Sequence, residues 1–132
     1  MELLQSRTSY SLLIMEDDTL VCKVIGRMIS LTFPDISVYT AENGQVGMEL
    51  FNEHKPDIVI TDINMPDMDG IQVAREIKSI KPETKFIVLT GYSDEKHLDE
   101  FREIGFNDYI VKPINFDSLF AAIEACRIEV TQ

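Results

Sequence analysis

Five short apolar runs alternate with five segments of helical spacing, and this alternation restricts the chain to very few folds. Apolar residues three or four positions apart in each helical segment predict an amphipathic helix. The runs are rich in Val and Ile, as are strands buried on both faces, and comprise Leu12–Glu16, Ile36–Thr40, Ile58–Thr61, Phe86–Thr90 and Asp108–Val111. Repeated strand–helix units imply parallel strands with helices on both faces, so the predicted class is α/β with a doubly wound five-stranded parallel sheet.

Capping residues mark several of the predicted helix ends. Asp18 and Asn43 directly precede the first and second helices and are predicted to be N-caps, whereas Gly105 follows the fourth helix as a C-terminal cap. The two cysteines, Cys22 and Cys126, lie far apart within helical segments. We interpret both as small core residues in a reducing compartment.

Length and charge narrow the range of partners. The 132 residues, 45% of them apolar, suit one domain with a substantial core. A formal net charge of −11 argues against nucleic-acid or anionic membrane surfaces and favours a basic partner or a divalent cation. No stretch approaches the roughly 18 apolar residues of a membrane helix, and the N-terminus lacks a signal-peptide pattern. We therefore predict a cytoplasmic protein that binds neither nucleic acid nor membrane.

Polar residues stand at the predicted strand ends, where parallel sheets bind ligands. Ligands of such sheets lie beyond the carboxyl ends of the strands, at the point where the strand order reverses. Any one of these residues alone is ordinarily a turn, cap or surface residue, but together they indicate a site. In chain order they are Glu16-Asp17-Asp18, Thr40, Asp62, Thr90-Gly91 and Lys112-Pro113.

Three of these acids would form a cluster if the first and third strands are neighbours. Glu16, Asp17 and Asp62 would then repel one another, so that one must bind a proton or the cluster must hold a cation. Mg²⁺ binds one or two carboxylates directly, leaves positions for phosphate oxygens, and together with Lys112 would offset the three negative charges. Thr90 adds a hydroxyl donor, and a carboxylate nucleophile can form an acyl phosphate. The residues therefore favour phosphoryl transfer.

Four segments resemble the receiver domain of two-component response regulators, in the order and at the spacing of that family. They are LLIMEDD (12–18), DIVITDINMPDMDG (57–70), FIVLTGY (86–92) and GFNDYIVKP (105–113). The resemblance implies the chemotaxis-regulator-like, flavodoxin-like (βα)5 fold with strand order 2-1-3-4-5. It also implies an N-terminal extension over residues 1–10 and a receiver domain over residues 11–130.

The resemblance implies a phosphorylation site with Mg²⁺ as cofactor. Asp62 would be the phosphoacceptor and a metal ligand, Asp17 would bind the metal directly, and Glu16 would act through water. Asn64 would contribute its backbone carbonyl, and the side chains of Asn64 and Tyr92 would flank the water that later hydrolyses the phosphate. A sensor histidine kinase or phosphotransfer protein would be the donor, and small acyl phosphates would also serve.

The resemblance implies a conformational switch as well. Thr90 and Lys112 would hold the phosphoryl oxygens, and Tyr109 would follow the movement of Thr90. This movement would alter the face made by the fourth helix, fifth strand and fifth helix, which would control a downstream effector protein or domain. The Lys112-Pro113 bond would be cis. Phe106 departs from the Ala that is frequent in the family and lies near this face.

Three alternatives are weaker on the sequence. A phosphohydrolase of the haloacid-dehalogenase type needs a second Asp where this chain has Asn64, and a flavin-binding flavodoxin needs a phosphate loop that Glu16-Asp17-Asp18 would repel. A degenerate receiver would lack the intact set of site residues. We therefore predict a signalling switch, not an enzyme, that catalyses only its own aspartyl phosphorylation and dephosphorylation. The output, and whether the domain acts alone or within a longer protein, stay open.

Overall fold

A computed structural model describes residues 9–63, 70–91 and 95–131 of the chain. Five strands and five helices alternate within these ranges, as predicted. The strands are β1 (Tyr10–Met15), β2 (Ile36–Ala41), β3 (Ile58–Asp62), β4 (Lys85–Thr90) and β5 (Asp108–Val111). The helices are α1 (Thr19–Thr32), α2 (Gly44–His54), α3 (Gly70–Ile80), α4 (Glu95–Ile104) and α5 (Phe116–Thr131).

All neighbouring strands pair in parallel, in the order β2-β1-β3-β4-β5. Leu12 of β1 pairs with Val38 of β2 on one side and with Ile58 of β3 on the other. The strand order therefore reverses at β1, and the carboxyl ends of β1 and β3 lie side by side. Both the predicted α/β class and the strand order implied by the resemblance are confirmed.

Each face of the sheet has its own hydrophobic core. Leu12 and Ile14 of β1 pack in one core with α1 and α5, whereas Leu13 and Met15 pack in the other with α2, α3 and α4. This division arises because successive side chains of a strand point to opposite faces. Cys22 and Cys126 are buried in the first core and are not joined in a disulfide, so the interpretation of the cysteines as core residues is confirmed.

The predicted caps are present at three helix ends. The Asp18 carboxylate accepts a hydrogen bond from the backbone N–H of Val21 (3.1 Å), and the Asn43 side chain accepts one from Val46 (2.8 Å). Gly105 follows α4 with a φ of 103°, a conformation that costs glycine little. These caps place the starts of α1 and α2 directly after the ends of β1 and β2.

The limits of four strands differ by one or two residues from those predicted; β2 extends to Ala41 and β4 begins at Lys85. β1 begins at Tyr10, because Tyr10 and Ser11 already pair with β2, and it ends at Met15. β3 extends to Asp62, which pairs with Leu89 of β4. The domain boundary between residues 10 and 11 stays a prediction. No helix in the described ranges has the length and apolar content needed to cross a membrane.

Candidate functional site

Three carboxylates meet at the carboxyl edge of the sheet, where the strand order reverses. Asp62 is the last residue of β3, and Glu16 and Asp17 directly follow β1. Because β1 and β3 are neighbours, one carboxylate oxygen from each residue lies within 4.8 Å of the other two. Glu16 and Asp62 are buried and Asp17 is exposed, so the cluster is open to solvent on one side.

Lys112 follows β5 and reaches this cluster across β4. Its Nζ donates a hydrogen bond to Asp62 Oδ2 (2.9 Å) and lies 3.1 Å from Glu16 Oε1. The backbone N–H of Lys112 donates to the carbonyl of Thr90 (2.8 Å), which fixes the lysine at the end of β4. The Lys112-Pro113 bond is cis, as the resemblance implies. The structure thus brings four of the predicted site residues into one cluster.

Burial and charge act in opposite directions on the two groups that face each other here. The pKa of Glu16 is raised to about 7, chiefly by burial and also by the charge of Asp62. The hydrogen bond from the Asp18 N–H and the contact with Lys112 act against this rise. Burial alone would lower the pKa of Lys112, but the hydrogen bond and charge of Asp62, together with Glu16, raise it above its ordinary value. The lysine is therefore charged at neutral pH, whereas Glu16 keeps its proton to a higher pH than an ordinary glutamate when no cation is bound.

The cluster fits a hard divalent cation. Three carboxylates carry three negative charges when ionised, and Lys112 offsets one of them. Glu16 Oε2 accepts a hydrogen bond from the Asp18 N–H (3.1 Å), but Oε1 is buried and accepts no well-aligned hydrogen bond within the described part of the chain. An all-oxygen donor set with two negative charges still to balance suits Mg²⁺.

The two predicted switch residues lie beside this cluster, around a common cavity. Thr90 ends β4 and is buried, and Tyr109 of β5 is 41% exposed. Both line a cavity of about 480 Å³ between β4, β5 and α4, together with Leu98 and Arg102 of α4. Thr90 and Tyr109 are therefore close enough to share one space, as the resemblance implies. Two other predicted residues, Asn64 and Tyr92, lie outside the described residues.

The fold agrees with the comparison of the sequence with known families. Residues 12–124 match the family model described as the response regulator receiver domain. This chain belongs to the response regulator receiver domain family. The family consists of signalling switches of two-component systems, so the predicted resemblance is confirmed.

Known receiver domains and response regulators are similar to this chain in sequence or in structure. The chain is 34% identical over 119 residues to the probable C4-dicarboxylate response regulator DctR of Bacillus subtilis (strain 168), covering 90% of the chain and 53% of that protein. It is 34% identical over 113 residues to the transcriptional regulatory protein GlrR of Escherichia coli (strain K12), covering 86% and 25%. It therefore spans between a quarter and about half of these relatives. The crystal structure of a response regulator receiver domain protein from Clostridium thermocellum superposes with a TM-score of 0.85 at 29% identity, covering 91% of this chain and 95% of that one.

Gly70 shapes the receiver site, although no role was predicted for it from the sequence. It begins α3 and donates its backbone N–H to the carbonyl of Ile63 (2.8 Å). A Cβ at position 70 would collide with the carbonyl oxygen of Asp62 and would lie 3.0 Å from that of Ile63. A glycine at the first position of an amphipathic helix pattern was the available signal. Only glycine lets α3 begin this close to the backbone of Asp62.

We expect Gly70→Ala to destabilise the receiver domain by about 1–3 kcal/mol, because the added methyl group forces the backbone of Asp62 or α3 to move. Urea unfolding measures this change. Gly26→Ala in α1 is the matched control, since the neighbours of its Cβ would be side-chain atoms and not backbone, the nearest being Thr40 Cγ2 at 3.1 Å. Equal stability of the Gly70→Ala and Gly26→Ala variants would show that the backbone contact does not constrain the site.

Proposed function

We propose that this receiver domain accepts a phosphoryl group on Asp62 from a sensor histidine kinase or phosphotransfer protein, with Mg²⁺ bound, and thereby controls a downstream effector. The observation that carries the proposal is the hydrogen bond from Lys112 to Asp62 within the cluster of three carboxylates. The Asp62 carboxylate is thereby held next to the ammonium group of Lys112, within the cluster that is proposed to bind Mg²⁺. Labelling of the unsubstituted protein and of Asp62→Asn with a radioactive acyl phosphate tests the proposal directly.

The reaction is nucleophilic attack of an Asp62 carboxylate oxygen on the phosphorus of the donor. A P–O bond forms while the P–N bond of a phosphohistidine breaks, and the electron pair stays on the imidazole nitrogen. Lys112 would donate to the phosphoryl oxygens as negative charge develops there, and the Thr90 hydroxyl would donate to another of these oxygens. Water later cleaves the acyl phosphate, which returns the Asp62 carboxylate and inorganic phosphate.

The acidic cluster would hold the magnesium ion during this reaction. Glu16, Asp17 and Asp62 would be its protein ligands, directly or through water, and the backbone carbonyl of Asn64 is a further proposed ligand. When bound, the ion offsets the charge of these carboxylates and of the incoming phosphoryl group. Lys112 would remain paired with Asp62, so that both cations face the position of the new phosphate.

Phosphorylation would change the surface next to the site. A phosphoryl group adds roughly two negative charges and several acceptors, which would attract the Thr90 hydroxyl. Movement of Thr90 would open space in the shared cavity for the ring of Tyr109. This would bias two arrangements of the face formed by α4, β5 and α5. The partner of this face would be an effector protein or domain in the cytoplasm, and the net charge of −11 argues against direct nucleic-acid binding by this domain.

We expect the affinity for Mg²⁺ to rise about tenfold between about pH 6 and about pH 8. The pKa of Glu16 is raised to about 7, so below that pH the cation must displace a proton, and the loss is about tenfold per pH unit. Isothermal titration calorimetry at several pH values measures the effect. Glu16→Gln should bind more weakly but with little pH dependence in this range; an unchanged pH profile would show that Glu16 is not the titrating group.

The proton on Glu16 should also affect the stability of the cation-free protein. Stability should fall as the pH rises, whereas the affinity for Mg²⁺ should increase. Because the pKa of Glu16 is about 7 in the folded state and 4.5 ordinarily, the folded state binds more protons between these values. The free energy of unfolding therefore falls as the pH rises through this window. Urea unfolding in the presence of a chelator measures this slope. We expect Glu16→Gln to have a shallower slope than the unsubstituted protein, and identical slopes would contradict the assignment.

A further inference from the structure

We propose that Phe106 is a positioning residue that holds the ring of Tyr109 at the surface and so sets how readily the receiver switches. The inference rests on the switch proposed above, in which Tyr109 follows Thr90. It concerns the restraint on Tyr109 before phosphorylation, and it arises from the contact between the rings of Phe106 and Tyr109.

The ring of Tyr109 packs edge-on against the ring of Phe106. Their centroids are 6.0 Å apart and their planes meet at 79°, within the range of favourable aromatic pairs. Tyr109 is nevertheless 41% exposed, so Phe106 supports its ring on one side while solvent covers another. The outward orientation of Tyr109 is thus held by a specific contact.

Phe106 is itself anchored to the core through a series of rings. It packs at 6.2 Å from Phe101 of α4, which packs at 6.1 Å from Phe86 of β4, and both partners are fully buried. The guanidinium of Arg102 lies over the ring of Phe106, 6.0 Å from its centroid. A ring with contacts to a buried aromatic and to a cation is a firm support for Tyr109.

The backbone on both sides of Phe106 is also fixed. Gly105 donates its N–H to the carbonyl of Phe101 (2.9 Å), which joins this turn to the last turn of α4. The side chain of Asn107 accepts a hydrogen bond from the N–H of Phe86 (2.9 Å), and the Asn107 N–H donates to the Phe86 carbonyl (2.8 Å). The position of Phe106 therefore depends on α4 and β4 together.

An inward movement of Tyr109 would break its contact with Phe106. Tyr109 and Thr90 line the same cavity, whereas Phe106 lies outside that lining. A ring that enters the cavity to follow Thr90 must leave the edge-on pair. Aromatic pairs of this kind correspond to about a two- to tenfold preference, so Phe106 should favour the outward ring by that factor. The contact would raise the degree of phosphorylation needed to change the face formed by α4, β5 and α5.

The test measures the exposure of Tyr109 without any phosphoryl donor. The protein is labelled with 3-fluorotyrosine, the Tyr109 resonance is assigned with Tyr109→Phe, and exposure is read from its shift between H₂O and D₂O. We expect Phe106→Ala to increase the ratio of inward to outward Tyr109 about two- to tenfold. Phe106→Tyr keeps the ring and should retain the original ratio. Phe106→Leu keeps apolar volume without a ring. It replaces Phe106→Ala as the test variant if the Ala variant does not fold, and the same increase is expected.

The matched control is Phe120→Ala, which removes a partly buried phenylalanine from the opposite face of the sheet. Phe120 packs against Phe33 and Phe116 and should not influence Tyr109. An unchanged H₂O/D₂O shift of Tyr109 in folded Phe106→Ala and Phe106→Leu would overturn the inference, as would an equal change of this shift in Phe120→Ala.

A second measurement separates failure of this inference from failure of the proposed function. Acetyl phosphate and Mg²⁺ are added to the unsubstituted protein. If Asp62 is not a phosphoacceptor, the donor leaves the Tyr109 resonance unchanged, while the effect of Phe106→Ala without donor persists. If only the inference is wrong, the donor changes the Tyr109 resonance of the unsubstituted protein. Without donor, Phe106→Ala then has the same exposure of Tyr109 as the unsubstituted protein.

Discussion

Asp62→Asn is expected to abolish labelling by radioactive acetyl phosphate while the domain stays folded. A carboxamide cannot form the acyl phosphate, whereas its oxygen can still accept the hydrogen bond from Lys112 that Asp62 Oδ2 accepts at 2.9 Å. The backbone pairing of β3 is unaffected, and the ion pair of Lys112 with Glu16 persists. Incorporation of label into the base-labile, acid-stable fraction measures phosphorylation, and circular dichroism with urea unfolding measures the fold.

The matched control for this experiment lies at the other end of the same strand. Asp57 directly precedes β3, is also buried, and also faces a lysine, with its Oδ1 3.5 Å from Lys81 Nζ. Asp57→Asn should take up label like the unsubstituted protein, because Asp57 lies at the opposite edge of the sheet from the carboxylate cluster. Base-labile label retained by folded Asp62→Asn would place the phosphoacceptor elsewhere.

The sheet and the acidic cluster were predictable because they depend on patterns along the chain. The uninterrupted run Ile58–Ile60 indicated a strand buried on both faces, and Asp62 two residues later had to stand at its carboxyl end. Parallel strands end at one edge, so Glu16 and Asp17 could be placed near Asp62 once β1 and β3 were taken as neighbours. The resemblance supplied the strand order that makes them neighbours.

Other features were not predictable because they depend on distances between side chains and backbone in the folded chain. The collision of a methyl group at position 70 with the backbone of Asp62 depends on how close the start of α3 lies to the end of β3. The sequence showed Phe106 near Tyr109, but edge-on packing requires the turn at Gly105 and the placement of α4. Lys112 was predicted to face a phosphoryl group, and its additional pairing with Glu16 depends on the 3.1 Å separation of their side chains in the folded chain.

Lys112→Ala is expected to slow phosphoryl transfer to Asp62 on the order of 10²-fold, the usual loss when a fixed donor to developing charge is removed. Binding of Mg²⁺ should be retained and tightened, because the lysine no longer pairs with Glu16 and Asp62 and the cluster keeps its negative charges. Single-turnover labelling with acetyl phosphate measures the rate, and isothermal titration calorimetry measures Mg²⁺ binding. Both are done above pH 7, because Lys112 lowers the pKa of Glu16 and its removal favours the protonated carboxyl.

The control for Lys112→Ala is Lys81→Ala, which removes a partly buried lysine that pairs with Asp57 at the other end of β3. It should leave the transfer rate unchanged, so a loss confined to Lys112→Ala reflects the charge next to Asp62. Slow transfer together with lost Mg²⁺ binding would instead mean that Lys112 organises the acidic cluster. An unaltered rate with intact Mg²⁺ binding would show that the hydrogen bond from Lys112 to Asp62 has no part in the reaction.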